Sequence, residues 1–130
     1  KGRTIAIWGL SFKPDTDDIR HAPALQLISD LSRAGASLRL YDPISMDHVK
    51  KLFPPSDQIE YALSEYEAAK GADAIALVTE WKQFRFANLE QVGESMKTRV
   101  FFDGRNQYKP SQLKGHGFTY YGIGVPQETA

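Results

Sequence analysis

Short apolar runs alternate with stretches of helical spacing along almost the whole chain. Arg3–Trp8 (RTIAIW) is nearly continuous in apolar residues and stops at Gly9, which predicts a buried strand. Pro23–Ala34 follows a different period: Ala24, Leu27, Ile28 and Leu31 fall on one helical face. Pro23 suits the first helical turn, and Gly35 suits the position just past the end. Ser37–Tyr41 (SLRLY) predicts a second strand closed by Asp42-Pro43, and Ser45–Phe53 a short helix before Pro54-Pro55.

The alternation continues through the second half. Ile59–Ala62 fits a short strand. Ser64–Lys70 fits a helix with Ser64 as N-cap and Glu67 three residues on, the capping-box pattern. Ala72–Thr79 (ADAIALVT) is the most apolar of the strand candidates. Asn88–Met96 predicts a helix capped by Asn88, with Leu89, Val92 and Met96 on one face. Arg99–Phe102 (RVFF), a helical turn at Ser111–Lys114 and Phe118–Tyr121 (FTYY) complete the series. Continuous apolar strands alternating with helices imply a mostly parallel sheet of about five to six strands with helices on both faces. The expected fold class is therefore α/β, Rossmann-like and doubly wound.

Composition narrows this picture. At 130 residues the chain matches one domain, residues 1–130, with 42% hydrophobic and 25% charged residues. Zero net charge argues against non-specific binding to nucleic acid or a membrane surface. No apolar run approaches the ~18 residues of a transmembrane helix. With no cysteine, disulfides, thiolate metal sites and a cysteine nucleophile are excluded within these residues. Lacking an export signal, the chain is expected to be cytoplasmic. There is no initiator methionine and the first strand starts almost at Lys1, which reads as a piece of a longer protein.

In an open α/β sheet, ligands bind beyond the carboxyl ends of the strands. The segment GLSFKPDTDDIRHAP, residues 9–23, leaves the first of these ends. Lys13 is a mobile charge suited to phosphate or carboxylate, Phe12 could stack on a flat ring, and Pro14 stiffens the turn. Equally, this is a surface segment with an incidental lysine and a Phe folded inward. Asp17 and Asp18 complement the dipole of the helix that Pro23 opens; as acid–base or Mg²⁺ groups they are weak candidates. Arg20 either pairs with one of them or faces an anion. After RVFF, Asp103-Gly104 would form a turn presenting Arg105, whose planar fork grips phosphate or carboxylate bidentately; a local salt bridge is the alternative. Thr79-Glu80-Trp81 fits a capped helical turn with Trp81 packed on Phe84 and Phe86 better than it fits a catalytic Glu80. His21, His48 and His116 share no metal-ligand spacing. With no G-x-G-x-x-G, P-loop or nucleophile, the rim describes a binder of a small phosphorylated ligand.

These motifs, in order, resemble the C-terminal domain of the UDP-glucose/GDP-mannose dehydrogenases: residues 9–20, Tyr41-Asp42-Pro43, Thr79-Glu80-Trp81 with Phe84-Arg85, and Phe102–Asn106. The likeness runs from Lys1 to about Gly124. It implies one part of an NAD-dependent oxidoreductase, itself catalytically inactive, excised from a polypeptide with an N-terminal NAD-binding domain and a central dimerisation region. The full protein would be a homo-oligomer that oxidises a nucleotide sugar to a carboxylate with two NAD⁺, using a catalytic cysteine elsewhere. The resemblance assigns Phe12, Lys13 and Arg105 to the UDP-sugar and Arg20 to the NAD side of the cleft; it implies no metal. The Thr-Glu-Trp segment leans toward the UDP-glucose branch over the N-acetylmannosamine and GDP-mannose branches. His21 and Val125 depart from the family pattern. A free-standing NAD-binding module and a regulatory or oligomerisation domain are the competing readings.

Overall fold

The computed structural model describes residues 3–10, 23–79, 82–85, 87–104, 108 and 110–122. Within them lie six strands: β1 (Thr4–Trp8), β2 (Ser37–Tyr41), β3 (Ile59–Tyr61), β4 (Ala74–Leu77), β5 (Val100–Asp103) and β6 (Thr119–Gly122). Six helices accompany them: α1 (Pro23–Arg33), α2 (Met46–Leu52), α3 (Glu65–Ala69), α4 (Lys82–Arg85), α5 (Leu89–Ser95) and α6 (Pro110–Lys114). The strands form one sheet in the order β3-β2-β1-β4-β5-β6, every pair parallel. This is the doubly wound order whose direction reverses between β1 and β4.

Local chemistry accounts for the element ends. Past α1, Gly35 and Ala36 donate their amides to Ser32 and Leu31 carbonyls (both 3.1 Å), the paired bonds of a Schellman C-cap. At α3, Ser64 Oγ accepts the Glu67 amide at 3.0 Å, while Glu67 Oε1 accepts the Leu63 amide at 2.6 Å. The capping box thus closes one residue earlier than its usual form. Asn88 caps α5 through Oδ1, which accepts the Gln91 amide at 3.1 Å. The central strand is shorter than the apolar run that predicts it, because Val78 and Thr79 already belong to the rim.

The sheet divides the core in two. Side chains alternate along each strand, so Ala6, Trp8, Ile75, Leu77, Phe101 and Tyr120 face α3, α4, α5 and α6. Ile5, Ile7, Leu38 and Leu40 face α1 and α2 on the opposite side. Right-handed crossovers dictate this split. The chain steps from β1 to β2 to β3 in one direction, then from β4 to β5 to β6 in the other, so the two sets of helices fall on opposite faces. Helices therefore stand on both faces as expected, yet among the described residues the α1/α2 face of β4–β6 receives no connection.

Candidate functional site

Five polar side chains are buried among the described residues: Asp42, Ser45, Glu65, Thr79 and Asp103. All follow or end strands at the carboxyl edge of the sheet. Each buried polar group needs a partner, and the partners here are largely backbone amides of the segments leaving that edge.

Asp42 is the first strut. Its Oδ2 accepts the Leu10 amide at 2.7 Å, and its Oδ1 accepts the Ile44 and Ser45 amides at 2.8 Å each. One fully buried carboxylate thus ties the exit of β1 to the turn after β2. The Gly9 amide donates to the Tyr41 carbonyl at 2.8 Å and closes the same junction.

Asp103 is the second. Its Oδ2 accepts the Tyr108 amide at 2.8 Å and lies 3.0 Å from the Tyr120 hydroxyl. That hydroxyl also lies 3.1 Å from the Tyr108 carbonyl; its single proton serves one acceptor at a time. The Tyr108 hydroxyl donates to the Phe84 carbonyl, linking β5, β6 and α4. Burial first, and the Asp103 carboxylate second, push both the Tyr108 and the Tyr120 hydroxyls well above the usual phenol range. Asp103 thus anchors the chain beyond β5 through the Tyr108 amide.

Between these struts lies the reversal of strand order. Gly9 has φ +96°, and a Cβ built on it would sit 2.5 Å from Thr79 Cβ and 2.6 Å from the Thr79 amide nitrogen. The ends of β1 and β4 therefore touch where a dinucleotide's pyrophosphate would approach bare backbone in this topology. The sequence supplies Gly9 alone where that turn carries three glycines. These residues do not fit a dinucleotide at the β1–α1 turn.

Beside α4, Gln83 Nε2 donates to Glu65 Oε1 at 3.1 Å and to the Tyr41 hydroxyl at 3.2 Å. Burial pushes the Tyr41 hydroxyl up, the Gln83 bond opposes this, and the Glu65 and Asp42 carboxylates add to the rise. Trp8 stacks on Phe84 with ring centroids 5.2 Å apart, which seats α4 on the sheet. Nothing in the sequence pattern marks this cluster, whose members are up to 42 residues apart.

Phe12, Lys13, Arg20 and Arg105 lie outside the described residues, as do Asp17, Asp18, His21, Glu80, Trp81, Phe86 and Val125. Their attachment points are described: Leu10 at β1, Thr79 at β4 and Gly104 at β5. These strands are neighbours, so Leu10 and Gly104 leave the edge about 10 Å apart at ~4.8 Å per strand. His48 is exposed and His116 half-buried, well separated in the fold. Among the described residues no group of three metal-ligating side chains occurs, and no helix is long and apolar enough to cross a membrane.

Comparison with known proteins fits this architecture. The sequence model of the UDP-glucose/GDP-mannose dehydrogenase family, UDP binding domain, matches residues 6–110. The chain belongs to this family. It is 45% identical to a UDP-glucose 6-dehydrogenase of Pseudomonas aeruginosa over 130 residues, covering 98% of this chain and 29% of that protein. A UDP-glucose 6-dehydrogenase of Rhizobium meliloti is 40% identical over 126 residues, covering 97% of this chain and 28% of that protein. Among solved structures, the UDP-D-ManNAc dehydrogenase of Pyrococcus horikoshii superposes with a TM-score of 0.75 at 31% identity, over 95% of this chain and 26% of that one. This member of the family thus spans less than a third of the length of the curated relatives it matches.

Proposed function

We propose that this chain is the UDP-sugar-holding, C-terminal part of an NAD-dependent UDP-glucose 6-dehydrogenase. The observation that carries this reading is the 45% identity to a UDP-glucose 6-dehydrogenase across 98% of the chain. The rim geometry supports it: Asp42 and Asp103 fix the exits of β1 and β5, from which the segments bearing Lys13 and Arg105 depart. Two cations from strands two places apart in the sheet suit a diphosphate, and Phe12 suits the flat base or the sugar. Arg20 then leans toward NAD, which the remaining polypeptide binds, since the β1–α1 turn here does not fit it. The chain's own contribution is to bind and orient the sugar against a reacting centre elsewhere. The full protein, a cytoplasmic homo-oligomer in this reading, converts UDP-glucose to UDP-glucuronate with two NAD⁺.

A related sugar is the second reading, favoured by the superposition on a UDP-D-ManNAc dehydrogenase. Titration calorimetry of the full polypeptide with UDP tests the site. Lys13→Ala and Arg105→Ala should each weaken UDP about ten-fold or more, as expected for a charge-assisted hydrogen bond. The loss should shrink as salt is raised. UDP affinity unchanged in the double variant would refute the assignment. Turnover of UDP-glucose against UDP-N-acetylmannosamine separates the two sugars.

A further inference from the structure

Beside α1, on the face that the crossovers leave uncovered among the described residues, runs an open groove of about 800 Å³. Its walls are mainly apolar, with Ile5, Leu27, Leu31, Val78, Phe102 and Tyr121 among them. Phe102 is 45% exposed and stacks on Tyr121 with centroids 5.0 Å apart. A large aromatic pair left on an open sheet face is an unfinished layer.

We infer that an amphipathic α-helix from the same polypeptide, outside these 130 residues, lies in this groove and completes the third layer over β4–β6. The inference rests on the proposed reading only in taking the chain as part of a longer protein. Relatives are more than three times this length, so the covering residues are available in cis. None of the described connections can supply them, because right-handed crossovers send α3–α6 to the other face.

The shape selects a helix. The open width spans β4 to β6, about 10–14 Å at ~4.8 Å per strand, and a helix with side chains is about 10–12 Å across. An inserted strand would bring unpaired backbone groups against an apolar floor, whereas a helix satisfies its own. A second copy fits less well. A two-fold contact must be self-complementary, and two grooves facing each other leave both empty unless α1 fills its partner's. The apolar stripe of α1 is spent on its own sheet through Ala24 and Ile28, and the Gln26 and Asp30 side chains beside it, hydrogen-bonded to each other, line the groove as polar groups.

The test replaces Phe102 by the photo-crosslinking residue p-benzoylphenylalanine in the full polypeptide, mixed from light and heavy isotope cultures. Irradiation should join position 102 to an amphipathic peptide outside residues 1–130, within one isotope label. Crosslinks mixing the labels would overturn the inference in favour of a second copy, and crosslinks confined to residues 1–130, or none, would overturn it outright. In parallel, Phe102→Asp should lower the melting temperature of the full polypeptide by several degrees; an unchanged melt would count against a covered face. UDP binding measured on the same samples keeps the two ideas apart. A crosslink without UDP binding sinks the functional reading alone, and UDP binding without the crosslink sinks this inference alone.

Discussion

Replacing Gly9 by alanine should be among the most damaging small substitutions in the chain. Two costs combine. At φ +96° an L-residue is strained by about 1–2 kcal/mol. The new Cβ would also lie 2.5 Å from Thr79 Cβ, where ordinary contact begins at 3.4 Å. Relief means moving β1 away from β4, and those strands are locked by the Trp8–Leu77 register and the 2.9 Å bond from the Val78 amide to the Trp8 carbonyl. Overpacking of this kind costs about 1–3 kcal/mol, so the total is about 2–5 kcal/mol and a fall in Tm of roughly 10 °C or more. Thermal melts followed by circular dichroism measure it. Gly71→Ala is the internal control, because Gly71 has φ +73° but nothing within 4 Å of its would-be Cβ. It should lose only the backbone part. Equal destabilisation by the two variants would refute the close approach of β1 and β4.

Asp103→Ala removes the acceptor for the Tyr108 amide, and should cost about 1–3 kcal/mol in urea unfolding; it should also weaken UDP binding if residues 105–107 hold the ligand. Ser64→Ala removes the side-chain cap of α3 and should cost about 1 kcal/mol by the same measurement. Alkaline pH should destabilise the fold. Tyr41, Tyr61, Tyr108 and Tyr120 are all raised, mainly by burial, with Tyr61 pushed up to about 12. Between the unfolded value near 10 and the folded values, the unfolded chain binds fewer protons, so stability falls as pH rises through that window. Tm should be level below about pH 9 and drop above pH 10. Tyrosinate absorbance rising near pH 10 with Tm unchanged would contradict the burial of these hydroxyls.

Much of the scaffold was legible because it is written locally. The capping pattern at Ser64, the stop at Gly35 and the apolar strand runs depend on neighbours within a few residues. The strut role of Asp42 was half legible: Asp-Pro at a strand end signals a turn, but the Leu10 amide it accepts is 32 residues away. The Tyr41–Glu65–Gln83 cluster was illegible, because it exists only once the crossover through α3 sets β2 beside α4. The half-face left open among the described residues was hidden for a related reason. RVFF is equally apolar whether one face or both are covered, so the exposure of Phe102 follows from strand order and not from composition.

The struts also bear on how such a protein can change its preferences. Asp42 and Asp103 hold the exits of their strands through main-chain amides, which every residue except proline carries. The side chains beyond each mount are therefore under no obligation to the mount itself. On the proposed reading, substrate choice can be redesigned in the segments that follow Leu10 and Gly104 while the framework beneath keeps its geometry.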